Sequence, residues 1–448
     1  MGIYEPSSIL VYLTILPIQF FMMKHAWKRN SIILILLFTY MFVAIGIGSL
    51  MLYLDRGSIS NVGTNHVGNF DFSYSYLFKV YIYLLVFQLI VLLIFELFNK
   101  TNSKKSLLSF ITEETTTLST RGKSFSVFSI TVVAIVFALI SIWMYNKNIG
   151  MIGLKQTQLP YHLSGILFYA RRFVFTVVLI WMYAKTKEKG LATAILIAYA
   201  LIVAVTGSSK SLNLILLVPV GIIALMTRHK GWGITAIVSS LLIYTYVSCT
   251  REIVYALDGE VSLAEVVVGS NAIFWSVIGE DFSYVTRLIA GVCESLYGMK
   301  NVVVAYQYNS LGIYDTLSYF GGVHLGSIIQ DMPYELYGVT YSADKAFGVC
   351  VGFPGTMVMM SCRNIILLLF EAVVVSFILV IQDTILDAVV VSKKKRVYKY
   401  IVLLLFLFSF MSLIEANSLA PVYLCTVMMF LVSKMAKPNQ KKVVLEHA

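Results

Sequence analysis

The chain has 448 residues, of which 58% are hydrophobic and 13% charged, with a mean hydropathy of +0.82. A soluble domain is about half apolar and about a quarter charged, so this composition excludes a soluble protein and indicates a polytopic membrane protein, with room for about a dozen spans of ~20 residues. The net charge of +11 is not a nucleic-acid footprint, because the basic residues sit in short clusters between apolar runs, where they set orientation.

In chain order the apolar runs fall at 8–23, 31–54, 76–98, 126–146, 164–184, 190–207, 211–227, 232–250, 365–382, 399–414 and 419–433. Only helices satisfy their own backbone in lipid at this length and hydrophobicity, so the expectation is an all-α polytopic protein with about 11 transmembrane helices, within a range of 10–13. The first eight residues lack a basic n-region and a cleavage site, so the first run is expected to be a span and not a removed signal. The five cysteines have no metal-ligand spacing.

Basic clusters follow every second run: Lys24, Lys28 and Arg29; Lys100 to Lys123; Lys185 to Lys189; Arg228 to Lys230; Lys393 to Arg396; and the terminal lysines. Those loops are expected to be cytoplasmic, which puts the N-terminus outside and the C-terminus inside. Arg251–Lys345 then lies outside, carrying four basic and eleven acidic residues, a net of −7, with many tyrosines. The chain divides into an N-terminal bundle of about eight spans (1–250), a large extracytoplasmic loop with short helices (251–363), and C-terminal spans with a tail (364–448). Within the loop, Val266–Gly279 and Ala346–Ser361 are apolar but too short to span, and suit interfacial or re-entrant helices.

Several residues carry candidate chemistry. Arg171 and Arg172 lie inside the fifth run, in its outer part. Buried arginine is costly, so the pair marks a functional site or else snorkels to the outer headgroups. Guanidinium groups donate in a fixed fork that suits phosphate oxygens. Glu371, at a similar depth in the ninth run, needs a partner, and one of these arginines is the simplest choice; the alternative is a purely structural ion pair. The Thr206–Ser211 turn is short, polar and positive, so Lys210 is a phosphate ligand or simply part of a tight turn. Arg287, Gly291, Glu294 and Gly298 share one face if their segment is helical, which lets a polar ligand pass close to the backbone or lets the helix pack through its glycines. Glu280, Asp281 and Glu294 are candidate bases in the acidic loop, Arg251 opens that loop with a positive charge, and His324 between glycines is an acid/base group or a structural histidine. There is no P-loop, HExxH or paired CxxC, and no cytoplasmic segment large enough for a nucleotide. Chemistry is therefore expected outside, without ATP.

This constellation resembles the bacterial O-antigen polymerases, the Wzy-type oligosaccharide repeat-unit polymerases. The likeness rests on about eleven spans, one large external loop in the C-terminal half, the arginine pair on the fifth span, and Thr206-Gly207-Ser208 after the sixth. In that family Thr-Gly-Ser is often followed by arginine; here Ser209-Lys210 stands in its place, and a phosphate role passes to Lys210. External loops of some members carry an arginine and a glycine separated by ten residues, as Arg287 and Gly298 are. The resemblance implies an undecaprenyl-diphosphate-linked oligosaccharide as substrate, with the growing chain transferred to a new lipid-linked unit. It implies a bacterial inner (cytoplasmic) membrane with the long loop periplasmic, a chain-length regulator protein as partner, no nucleic acid, no cofactor and no metal. Arg171, Arg172, Arg251 and Lys210 would hold the diphosphate, while Arg287, Glu280, Asp281 and Glu294 would be catalytic.

Other readings are an O-antigen ligase, which relies on an external histidine, here His324; another polyprenyl-dependent glycosyltransferase; and a flippase, which would show two related halves. The topology has a direct test. A reporter fused at Ser310 is expected to read outside, and fusions near Lys105 and Lys395 inside; an inside signal at Ser310 overturns the assignment of sides.

Overall fold

The computed structural model describes residues 9–50, 74–110, 124–149, 157, 159–160, 163–207, 210–256, 262–278, 299–308, 311–329, 352–392 and 396–435. Every element they form is helical. The helices are α1 (Ile9–Lys28), α2 (Ile32–Leu50), α3 (Tyr74–Phe98), α4 (103–110), α5 (Val127–Asn146), α6 (Leu163–Lys185), α7 (Lys189–Gly207), α8 (Lys210–Met226), α9 (Lys230–Ala256), α10 (Leu263–Ile278), α11 (Met299–Gln307), α12 (Ile313–Phe320), α13 (Leu325–Ile328), α14 (Gly352–Met360), α15 (Ile365–Val391), α16 (Arg396–Glu415) and α17 (Ala420–Met435). Seven of these, α2, α3, α5, α6, α7, α15 and α16, are long and apolar enough to cross a membrane, and α8, α10 and α17 contain shorter apolar helices. The chain is therefore an α-helical, multi-pass membrane protein.

The helices fall into two bodies, each packed mainly within itself. One gathers α1 to α4 and α11 to α17 around a core that includes Phe38, Phe87, Phe353 and Phe406. The other gathers α5 to α10, with a core that includes Leu179, Leu196, Leu217 and Val247. No residue belongs to both cores. Lipid is as apolar as leucine, so helices in a membrane associate through close packing and polar contacts, not through the hydrophobic effect. Both devices are present. In the second body α8 and α9 cross at Gly221 and Gly233: a Cβ on Gly221 would stand 3.0 Å from the Gly233 carbonyl oxygen, and one on Gly233 2.9 Å from that of Gly221. In the first body the buried Gln19 and Gln88 side chains exchange two amide bonds, of 2.8 and 3.0 Å, between α1 and α3.

A polar clasp closes one end of the first body. Buried Asp383 on α15 accepts from Asn99 Nδ2 at 2.8 Å, Thr101 Oγ1 at 2.6 Å and Ser103 Oγ at 2.7 Å. One turn on, Asp387 accepts from the Asn102 amide at 3.0 Å and Ser106 Oγ at 2.5 Å. The two carboxylates thus cap the start of α4, where unsatisfied N–H groups and the positive end of the helix dipole favour an anion.

The opposite end of that body carries a platform of short helices. Thr316 Oγ1 donates to the Met360 carbonyl at 2.6 Å, Tyr319 OH to that of Ala416 at 2.9 Å, and Tyr423 OH to that of Phe320 at 2.7 Å. The Leu325 amide donates to Asn417 O at 2.6 Å and Ser418 Oγ to Gly322 O at 2.8 Å. Segment 312–329 is thereby bonded to the turns that end α14 and α16. These bonds mostly reach carbonyls left over at helix ends, the groups that need partners when they are buried.

In their described residues, both short apolar stretches of the long segment form helices, α10 and α14. α10 runs back along α9: Ser270 Oγ donates to Thr250 Oγ1 at 3.3 Å, Tyr246 OH to Val267 O at 3.3 Å, and a Cβ on Gly269 would stand 2.8 Å from Ile253 Cδ1. All nine residues of α14 are buried. The boundary drawn after residue 250 falls inside a helix, since α9 continues through Arg251 to Ala256.

Candidate functional site

The fifth apolar run forms α6, and its middle is not α-helical. Ala170–Val174 makes a π-helical turn, and Arg171 and Arg172 sit in it. Such turns are rare and occur frequently at functional sites. Their wider winding reduces the angular step between adjacent side chains, so neighbours that would diverge on an α-helix point more nearly together. On a regular α-helix adjacent positions lie about 100° apart, so only one of the pair would face the protein; here both do. Both are buried, Arg171 with no exposed surface and Arg172 with 8%.

Arg171 reaches the C-terminal end of α7. A Cβ placed on Gly207 would be 3.2 Å from Arg171 Nη2 and 3.3 Å from Cζ. Only glycine allows the guanidinium to come so close to that backbone. The C-terminal end of a helix carries partial negative charge, so it is a favourable place for a buried cation. Tyr199, about two turns of α7 earlier, interacts electrostatically with Arg171, and the Phe168 ring lies 6.0 Å from its Cζ. Beside Gly207, buried Thr206 bonds back to the Ile202 carbonyl at 2.8 Å and closes the helix end. The structure therefore brings Arg171 to Gly207 at the end of α7, two features that the sequence presents separately.

Arg172 points toward the other body. Its guanidinium makes a two-bonded ion pair with Glu415 at the end of α16: Nη1 donates to Oε2 at 3.2 Å and Nη2 to Oε1 at shorter range. Phe173 lies 5.4 Å from Arg172 Cζ, and Phe408 of α16 packs edge-on against both Tyr169 and Phe173. This replaces the expected partner. Glu371 on α15 is fully buried beside Leu368 and Ala372, and neither of its oxygens finds a hydrogen-bond partner among the described residues. Glu371 belongs to the first body and lies within its packing, whereas Glu415 lies at the edge of that body facing α6. The missed signal was an acidic residue closing the tenth apolar run, one position beyond the run drawn to residue 414.

His324 caps α13. Its Nδ1 accepts from the Gly326 amide at 3.1 Å, which requires the neutral ring with its proton on Nε2. Burial lowers its pKa below the ordinary histidine value. Of the remaining candidates, Lys210 begins α8 and Arg251 lies on α9, with their side chains outside the described residues. Glu280, Asp281, Arg287 and Glu294 lie wholly outside them. No protein-family model matches the chain, and comparison with curated proteins and with solved structures finds no match.

The cap fixes a pH dependence. A histidine pKa lowered by folding means that the folded state binds the proton less well. The stabilisation is present above the ordinary histidine pKa and is lost as pH falls below it. Protonation also removes the acceptor, so the cap loses about 1 kcal/mol. The protection of the Gly326 amide, its exchange rate relative to the intrinsic rate at the same pH, is expected to fall between pH 7 and pH 5, and His324→Asn, which keeps a capping acceptor, is expected to remove that fall. A loss of protection that persists in His324→Asn contradicts the assignment.

Proposed function

We propose that this chain polymerises lipid-linked oligosaccharide repeat units on the outer face of a bacterial cytoplasmic membrane. What supports the reading most is the buried arginine pair in a π-turn, with the Arg171 head against Gly207 at the end of the next helix. The Arg171 head lies against Gly207, the last residue of α7, so in this reading it stands at the outer end of that span, within reach of lipid headgroups. A lipid diphosphate carries its charge at that depth.

In this reaction a sugar hydroxyl of the incoming unit attacks the anomeric carbon of the growing chain. The bond from that carbon to the diphosphate oxygen breaks, and the lipid diphosphate leaves with the electron pair. The hydroxyl proton goes to a carboxylate of the acidic loop, where Glu280, Asp281 and Glu294 are the candidates. Arg171 would neutralise charge developing on the leaving group, joined by Arg287 and Lys210 from the loops and by Arg172 once its pairing with Glu415 is exchanged. The acidic loop would be periplasmic, the count of spans eleven, and a chain-length regulator protein the partner.

Two observations weigh the alternatives. His324 commits Nδ1 to a helix cap, which weakens a ligase reading built on an external histidine. Two separately packed bodies are what an alternating-access flippase would use, although among the described residues the two bodies differ in helix number.

Deletion of the gene separates these readings. The polymerase reading expects surface glycolipid bearing a single repeat unit and no ladder of longer chains; loss of the single unit as well indicates ligase or flippase. In the same strain Arg171→Lys, which keeps charge but loses the fork, is expected to lower polymer formation about a hundredfold at equal protein level. Normal ladders from Arg171→Lys refute its role at the diphosphate.

A further inference from the structure

The Arg172–Glu415 pair joins two bodies that otherwise keep separate cores. Around it the seam is aromatic: Phe408 of the first body stands 4.4 Å from Phe173 and 5.7 Å from Tyr169 of the second, measured between ring centroids. Tyr169 is 47% exposed, so the seam is open on one side to its surroundings. The pair is also incompletely buried, with side-chain exposures of 10% for Arg172 and 23% for Glu415.

Glu415 satisfies the two Nη groups of Arg172 with a planar, two-oxygen anion. A phosphate group offers the same geometry with more charge. Arg171, next in sequence and in the same π-turn, presents its head to the end of α7. An anionic headgroup entering at Tyr169 would meet Arg172 and compete with Glu415 for it.

Glu415 is not isolated from the rest of the outer end. Ala416, directly after it, has a left-handed φ of 51°, and its carbonyl accepts from Tyr319. The Asn417 carbonyl accepts from the Leu325 amide beside His324. Movement of Glu415 is thus tied to the platform of α12 and α13.

We infer that Glu415 is a positioning residue that holds Arg172 in place across the seam and yields it to the diphosphate headgroup of a lipid, so that ligand binding loosens the contact between the two helical bodies. The ligand class rests on the proposed function; the seam does not.

The test uses the full-length protein in lipid vesicles with Phe173→Cys and Phe408→Cys combined, and a short bis-maleimide crosslinker. The two single-cysteine variants control for native thiols. A second pair, Tyr169→Cys with Phe408→Cys, covers the case in which the first disturbs folding. The probe is farnesyl diphosphate, with farnesol as the uncharged control, and binding of labelled farnesyl diphosphate is measured in parallel. Crosslinking is expected to be efficient without ligand. It is expected to fall about fivefold when Glu415→Gln is added, as follows from losing on the order of 1 kcal/mol of seam contact. Farnesyl diphosphate is expected to produce a similar fall, farnesol none, and Arg172→Gln to abolish the response to farnesyl diphosphate.

Crosslinking unchanged by Glu415→Gln overturns the inference. Farnesyl diphosphate that binds without changing crosslinking also overturns it while leaving the proposed function standing. If farnesyl diphosphate does not bind at all, the proposed function and the ligand half of the inference fall together, even where Glu415→Gln loosens the seam.

Discussion

The contact between the two helical bodies depends on one partly buried ion pair, Arg172 with Glu415. Taking a guanidinium and a carboxylate out of water costs several kcal/mol for each, and their attraction repays this only when the geometry is close and the remaining donors are met. Arg172 and Glu415 meet the first condition with two bonds, and Phe173 covers one face of the guanidinium. A lone charge on either side of the seam would be far more costly than both together. The pair therefore sets how α6 and α16 sit against each other.

This matters because, among the described residues, the close helix–helix packing lies within each body and not between them. Within each, close crossings such as Gly221 with Gly233, and internal amide pairs such as Gln19 with Gln88, supply the packing that membranes require. Such contacts are short-ranged and do not extend from one core to the other. The seam instead uses a charge pair and edge-on aromatic contacts. A polar seam between rigid bodies is well placed for exchange with a polar ligand, because an incoming anion replaces one partner of the pair without disturbing either core.

Much of the fold was legible in the sequence. Over its described residues each of the eleven apolar runs falls on a helix, and seven of these helices are long and apolar enough to cross a membrane. The two short stretches of the acidic segment also form helices, α10 and α14, as their length suggested. The candidate site was legible in part. Arg171 and Arg172 stood out because charge inside an apolar run is rare. Their burial together was not readable, because it comes from a π-turn that no residue pattern announces. Glu371 was expected, by matching depth alone, to pair with one of the two arginines, and Arg172 pairs with Glu415 instead. Depth along a span does not say which neighbour a helix faces, and α15 turns Glu371 into its own body. The role of Gly207 was likewise hidden, since a glycine that admits a distant guanidinium looks in sequence like one that ends a helix.

The central claim is that Arg172 and Glu415 act as one unit holding the two bodies together, and a double-mutant cycle on thermal stability in lipid vesicles tests it most directly. Arg172→Gln and Glu415→Gln are each expected to be destabilising, because each leaves a buried charge without its partner. The double variant, with no charge left at the seam, is expected to lose less than the two single losses combined, with a coupling on the order of 2 kcal/mol. Losses that simply add would mean that the two residues do not depend on each other, and would contradict the account.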